Sequence, residues 1–149
     1  MSGFYNFVRS GPGKFEEKTA INMETVNNIP ETYQRIMPYL IVKDAHKFIE
    51  FMQIVFGAQE QYKHMRDENH IMHAELNIKG STIMFADCTD VYAQQNAGMF
   101  IYVDSCDETY KKALDNGAES IMPPADQPYG RSAGVKDPFG NTWWINNPL

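Results

Sequence analysis

Two side chains that can exchange protons stand two residues apart in the middle of this 149-residue sequence, within residues 71–78. The segment has the alternation of a β-strand, so His73 and Glu75 are predicted to share one face of a sheet. The opposite, apolar face is predicted to consist of Met72, Ala74, Leu76 and Ile78. An imidazole beside a carboxylate can act as a general base or hold the carbonyl of a ligand. The alternative is that the pair only forms hydrogen bonds across the sheet and holds the strand in place.

A second group of candidates consists of aromatic rings and thioethers on other predicted strands. If the strand phases are right, one concave surface is lined by Tyr39, Met84, Met99, Tyr102 and Trp144. Such side chains suit a flat, hydrophobic ligand through stacking and sulfur–aromatic contacts. The alternative is that they fill the concavity completely, as a core.

Residues 123–130 are rich in proline and are predicted to form a loop, which is where binding residues are commonly found. Tyr129 and Arg131 would close over a ligand there, with Arg131 pairing with an anionic group. The alternative is a turn packed at the edge of a dimer. The remaining histidines, His46, His64 and His70, are predicted to face solvent.

Composition excludes several classes of partner. A formal net charge of −6 and no visible basic face argue against nucleic-acid binding. No apolar run approaches the roughly 20 residues needed to cross a bilayer, and no signal-peptide pattern opens the chain, so we expect a cytoplasmic protein without a membrane partner. Cys88 and Cys106 lack Cys-x-x-Cys spacing, which argues against a disulfide framework or a structural zinc site.

The elements that must position these residues occur in two similar runs. The first has a strand at 38–42, a helix that Asp44 would cap and Gly57 would end, and strands at 59–65, 71–78 and 82–86. The second has a strand at 100–103, a helix from Asp104 to Gly117, and strands at 119–122, 132–136 and 141–146. Both runs have the order βαβββ.

The two runs are predicted to be an internal repeat, because Asp44 and Asp104, and likewise Gly57 and Gly117, stand 60 positions apart. The predicted fold class is α+β, with two βαβββ modules at residues 36–90 and 97–149 that form a curled mixed sheet around a concave cup. Residues 1–35 show no sustained period and are predicted to be an extension outside this 36–149 domain. Its aromatic residues either pack on the domain or on a partner subunit, or belong to a mobile tail.

Together with the repeated module, several motifs resemble the vicinal oxygen chelate superfamily, which includes glyoxalase I, bleomycin-resistance proteins, fosfomycin-resistance enzymes and extradiol dioxygenases. They are the 39–44 opening, the Gly-Ala pairs that end both helices, and the Asp-Pro-Phe-Gly turn at 137–140. The motifs His73-Ala74-Glu75-Leu76, the 123–131 segment and Trp144-Ile145-Asn146 resemble the phosphonate-operon B-type branch, grouped under a demethylubiquinone methyltransferase-like name. No glycine-rich nucleotide loop supports methyl transfer itself.

In the metal enzymes of that superfamily, His and Glu side chains from four strands hold a divalent cation, which polarises a substrate oxygen. The resemblance carries those four places onto Met37, Met84, Met99 and Trp144, none of which is a ligand for a hard cation. The prediction is therefore a protein without a metal or other cofactor.

The resemblance and the candidates together predict a homodimeric, cytoplasmic protein of the glyoxalase/bleomycin-resistance type that binds a small hydrophobic or aromatic molecule in its cup. Whether it is an enzyme stays open. The alternative is a lyase, isomerase or dioxygenase that uses a metal or the His73–Glu75 pair, and a third hypothesis is a structural protein with a filled cup.

Overall fold

The computed structural model describes residues 29–149, and the aromatic residues predicted to pack from the extension at positions 4–15 lie outside that range. The helices and strands, in chain order, are β1 Tyr39–Val42, α1 Ala45–Phe56, β2 Gln59–Met65, β3 Ile71–Ile78, β4 Ser81–Asp87, β5 Gly98–Tyr102, α2 Cys106–Asp115, β6 Glu119–Gln127, β7 Gly130–Lys136 and β8 Thr142–Asn147. The predicted order βαβββ is therefore present twice, and the α+β class is confirmed. Neither helix in the described part is long and apolar enough to cross a membrane.

The eight strands divide into two four-stranded sheets of the same topology. The first has the order β1-β4-β3-β2 and the second β5-β8-β7-β6. In each sheet the first and last strands of the module pair in parallel and the other neighbours are antiparallel. The curled mixed sheet of the prediction is thus two separate mixed sheets, because the modules meet through their helices and not through a strand ladder.

One core joins the modules. Helix α1 packs on β3 and β4, helix α2 packs on β6, β7 and β8, and the two helices pack on each other. Aromatic contacts continue across this junction, with the rings of Phe56 and Trp143 4.7 Å apart and those of Phe48 and Phe139 5.4 Å apart. Each sheet therefore buries one face against the helices and leaves the other face open.

The helix caps differ from the prediction in a way that sequence spacing does not reveal. Asp44 has a left-handed backbone (φ 54°) and its side chain caps nothing. The first amide of α1, at Ala45, instead donates to Asp87 at the end of β4, whose other oxygen accepts from the Ile71 amide. In α2 the capping side chain is Ser105, which accepts from the Glu108 amide, and not Asp104.

The proline-rich segment is not a loop. Strand β6 continues to Gln127 through the two prolines, with register shifts against β7 between Ser120 and Ala125. Proline is tolerated there because β6 is an edge strand whose outer amide positions need no partner. The connection to β7 is consequently a tight hairpin at Pro128 and Tyr129.

Candidate functional site

The open face of the first sheet carries both predicted chemical residues. Strand register places His73 and Glu75 of β3 on the same face as Tyr39 of β1 and Met84 of β4. The opposite face holds Ala74, Leu76 and Ile78, which are buried as predicted. Met72 departs from that pattern and is 55% exposed, because the β2–β3 pairing is irregular beside the start of β3.

A chain of hydrogen bonds runs across this face from solvent to the interior. The Tyr39 hydroxyl lies 3.0 Å from His73 Nδ1, and His73 Nε2 lies 3.0 Å from Glu75 Oε1. The other carboxylate oxygen accepts hydrogen bonds from the Tyr33 hydroxyl at 2.7 Å and from Gln61 Nε2 at 3.1 Å. The imidazole is therefore held at both nitrogens, and its orientation is set by a glutamate residue that is only 4% exposed.

Glu75 is ionised in this arrangement. Burial raises the pKa of its carboxyl. Hydrogen bonds from His73, Tyr33 and Gln61 together lower that pKa by more than burial raises it, so the pKa lies below the ordinary glutamate value. Burial in turn raises the pKa of the Tyr39 phenol, which keeps that hydroxyl protonated. The hydrogen bond to Glu75 likewise raises the pKa of Tyr33.

Replacing Glu75 by glutamine should destabilise the protein by about 1 kcal/mol at neutral pH, because the amide nitrogen would face a donor. The folded-state pKa of Glu75 lies below its unfolded-state value, so its contribution is present above the unfolded value and is lost as pH falls through the folded value. Urea unfolding at a series of pH values should show the difference between wild type and variant shrinking in acid. A difference that stays constant down to the acid transition would contradict this assignment.

The other histidines do not complete a metal site in the described residues. His64 is the strand partner of His73, and His70 hydrogen-bonds Asp67 in the β2–β3 turn. Within residues 29–149 no group of three or more His, Cys, Asp or Glu side chains is arranged to hold a metal ion. Met84 is one of the four positions that the family resemblance assigns to metal ligands, and in the strand register it pairs with Tyr39 and Glu75.

The open face of the second sheet presents aromatic rings. Trp144 of β8 pairs with Phe100 of β5 and with Gly134 of β7, and Tyr102 of β5 lies on the same face. The exposed fractions of Trp144 and Tyr102 are 39% and 66%. The indole of Trp144 lies directly over Gly134, where a Cβ atom would stand 2.5 Å from Cζ3 of the ring. Because Gly134 has no side chain, the indole of Trp144 has room to lie against β7.

Met99 does not share this face with Tyr102 and Trp144, so its predicted strand phase is wrong. Its strand partner is Trp143, whose indole is buried against Phe56 and donates to Asp137. Residues three apart on a strand lie on opposite faces, and Met99 accordingly packs against the core. It is partly buried and also lines a cleft beside β5.

Arg131 is also turned away from the open face, for the same reason of alternation. It lies on the helix side of β7, where its guanidinium forms ion pairs with Asp107 of α2 and with Asp126 of β6. These contacts raise the pKa of Arg131 and lower that of Asp107. The premise that Arg131 closes over a ligand in the cup is therefore wrong, while Tyr129 is exposed at the tip of the β6–β7 hairpin.

A cleft of about 630 Å³ lies between the β3–β4 hairpin and the free edge of β5. Its walls include Ile36, Thr82, Met99, Phe100 and Tyr102. The salt bridge between Lys79 and Asp104, at 2.5 Å, joins the two modules beside it. The volume of this cleft is in the range of small-molecule sites.

The predicted site residues are thus divided between two surfaces. Tyr39, His73, Glu75 and Met84 lie on the open face of the first sheet, and Tyr102 and Trp144 on that of the second. In the described part of the chain, no hydrogen bond or aromatic contact joins the two sets. Sequence reasoning missed Tyr33 and Gln61, which have no periodic signal, and Phe100, which the alternation from Tyr102 would have identified.

Comparisons with known proteins give the family. The model of the Glyoxalase/Bleomycin resistance protein/Dioxygenase superfamily matches residues 32–145. Mb0911c from Mycobacterium bovis is 30% identical over 129 residues, covering 76% of this chain and 83% of the relative.

Two solved structures share the fold. TioX from Micromonospora sp. ML1 has a TM-score of 0.65 and 22% identity, covering 78% of this chain and 99% of TioX. TnmS3, an antibiotic binding protein from Streptomyces sp. CB03234, has a TM-score of 0.58 and 19% identity, covering 78% of this chain and 100% of TnmS3. The resemblance found in the sequence is confirmed: the chain belongs to the glyoxalase/bleomycin-resistance/dioxygenase superfamily.

Proposed function

We propose that this protein binds a small hydrophobic or aromatic molecule on the open faces of its sheets, without a metal. The observation that carries the proposal is the exposure of four aromatic rings on faces opposite a fully formed core: Tyr39, Phe100, Tyr102 and Trp144. Phe100, Tyr102 and Trp144 share one open face, and an exposed apolar patch of this kind generally marks a binding site. TnmS3, described as an antibiotic binding protein, has the same fold.

A homodimer and a cytoplasmic location are part of the proposal. In a two-fold dimer the same contact occurs twice, with residue i of one protomer on residue j of its partner. An open first-sheet face on an open second-sheet face would bring Tyr39 of one protomer towards Trp144 of the partner subunit. The two sets of site residues would then line one enclosed site, which light scattering and a ligand-bound structure can test.

In the binding test, titration calorimetry measures the affinity of the protein for 4-nitroanisole, a flat and uncharged aromatic probe. Trp144→Ala should weaken binding about tenfold, because stacking on an aromatic ring contributes about 1 kcal/mol beyond the area buried. Tyr92→Ala is the matched control, since Tyr92 is an exposed aromatic residue on the β4–β5 loop and belongs to neither sheet. Equal weakening by both variants, or binding unaffected by the loss of Trp144, would count against the proposed site.

The second candidate is an enzyme, a lyase, isomerase or dioxygenase of the same superfamily. It is favoured by the hydrogen-bond chain from Tyr39 through His73 to Glu75, which positions an imidazole for acid–base work. Elemental analysis of protein purified without chelator, with thermal-shift scans in Mn²⁺, Ni²⁺, Zn²⁺ and Fe²⁺, separates the candidates. Near-stoichiometric metal or a large specific stabilisation would support a metal enzyme over the binding protein.

A further inference from the structure

We propose that the hydrogen-bond chain from Tyr39 to Glu75 selects ligands that carry an acidic oxygen, such as a phenol, an enol or a carboxylic acid. It would bind them as anions at the Tyr39 hydroxyl while His73 takes up one proton. The inference rests on the proposed small-molecule function and adds the chemical class of the ligand.

The buried end of the chain sets the direction of every hydrogen bond in it. An ionised Glu75 can only accept, so His73 Nε2, 3.0 Å away, must carry a hydrogen. In a neutral imidazole Nδ1 is then the acceptor, and the Tyr39 hydroxyl 3.0 Å from it must be the donor. Tyr39 is 48% exposed, and an oxygen that donates its hydrogen to His73 keeps its lone pairs to accept a hydrogen bond from a ligand.

An acidic ligand completes a path for its proton. The O–H bond of the ligand breaks and its proton moves to the Tyr39 oxygen, while the Tyr39 proton moves to His73 Nδ1. The ligand becomes an anion that accepts a hydrogen bond from Tyr39, and Tyr39 accepts one from the imidazolium. No electrons are exchanged, and the imidazolium is stabilised by the carboxylate of Glu75 on its other side.

Within residues 29–149, no Lys or Arg side chain forms a hydrogen bond or ion pair with His73. The ionisable groups beside His73 are Tyr39 on β1, Tyr62 and His64 on β2, and Glu75 on its own strand. Tyr33, before β1, contacts Glu75, and β4 contributes the uncharged Met84. The carboxylate of Glu75 lies within hydrogen-bond distance of the imidazole and is the group that would balance a positive charge there.

The test compares 4-nitrophenol, whose phenolate absorbs visible light, with 4-nitroanisole, which has the same shape but no acidic proton. At a pH where free 4-nitrophenol is mostly un-ionised, the bound probe should show the phenolate spectrum. Calorimetry in buffers of different ionisation enthalpy, with the probe added as phenolate at higher pH, should show uptake of about one proton for each molecule bound. A bound probe with the spectrum of the neutral phenol, or a proton uptake of zero, would overturn the inference.

Three variants assign the effect to its residues. Tyr39→Phe should weaken 4-nitrophenol binding about tenfold and abolish the phenolate spectrum, and His73→Gln should abolish the proton uptake. Tyr62→Phe is the matched control, because it removes a hydroxyl from a ring that contacts His73 without entering the chain. A bound probe that keeps the phenolate spectrum in folded Tyr39→Phe protein would also overturn the inference.

The same titrations separate this inference from the proposed function. If 4-nitroanisole binds at Trp144 while 4-nitrophenol binds no more tightly and stays neutral, only the acid selection fails. If neither probe binds the full-length protein, both proposals fail. Tight binding of the phenolate alone supports acid selection and removes the preference for uncharged aromatic ligands.

Discussion

Replacing Asp137 by alanine should lower the free energy of unfolding by about 3 kcal/mol or more. The carboxylate is buried at the Asp-Pro-Phe-Gly turn and accepts four hydrogen bonds: from the backbone amides of Phe139 and Asn141, from Asn141 Nδ2 and from Trp143 Nε1. Each buried donor left without a partner costs about 1–3 kcal/mol. Urea unfolding with two spectroscopic probes measures the loss.

Asp126→Ala is the matched control for that variant. This variant also removes a charged hydrogen bond, the one between Asp126 and the guanidinium of Arg131, but the Asp126 side chain is largely exposed. Exposed ion pairs contribute at most about 1 kcal/mol, so this control should be close to wild type. If Asp137→Ala were equally mild, the turn would not be what holds β8, and with it the Trp143–Trp144 pair, in register.

Replacing Gly134 by alanine should displace the indole of Trp144 from β7. The added Cβ would lie 2.5 Å from Cζ3 and 2.9 Å from Cε3 of the ring, closer than van der Waals contact permits. Because Trp144 is on an open face, its ring can swing away, so we expect overpacking to cost about 1–3 kcal/mol rather than to prevent folding. Binding of 4-nitroanisole should fall to the level of Trp144→Ala.

Tryptophan fluorescence follows that displacement, since the second indole, Trp143, is 2% exposed and tied to Asp137 and so serves as an internal reference. Gly98→Ala is the matched control, because Gly98 is also a strand glycine and a Cβ there would meet nothing within 4 Å. Both variants add one methyl group to a strand. An unchanged emission spectrum and unchanged binding in Gly134→Ala would contradict the role of this glycine.

The hydrogen-bond chain that ends at Glu75 and the stacking surface at Trp144 should respond differently to pH. Removal of Glu75 acts through charge and is therefore sensitive to pH, whereas displacement of Trp144 acts through shape and is not. Measuring ligand binding by Glu75→Gln and by Gly134→Ala across the same pH range therefore distinguishes a ligand held by the hydrogen-bond chain from one held by stacking.

Much of the architecture follows from the local pattern of the sequence. The repeated βαβββ order comes from strand and helix periods and from glycines such as Gly57 and Gly117, which both have the positive φ that glycine tolerates. The common face of His73 and Glu75 follows from their spacing of two on a strand. The family motifs depend on the same local features.

Other features depended on partners distant in the chain. Asp87 caps α1 from 42 residues away, and Tyr33 reaches Glu75 over the same separation, so no local pattern predicts either contact. The strand phase of Met99 was wrong in the sequence interpretation, because Met99 and Tyr102 are three residues apart on β5 and therefore lie on opposite faces. Arg131 was predicted to belong to a loop, whereas the structure places it on β7 with its guanidinium on the helix side.

The sequence by itself determined two modules, the glycines at which their helices end, and the pairing of an imidazole with a carboxylate. Only the tertiary structure decided that the modules join through their helices, and thus that the predicted cup is divided between two open faces. The physical reason is that a hydrophobic period specifies which side of an element is buried, whereas the partner that buries it is selected by packing among all the elements at once.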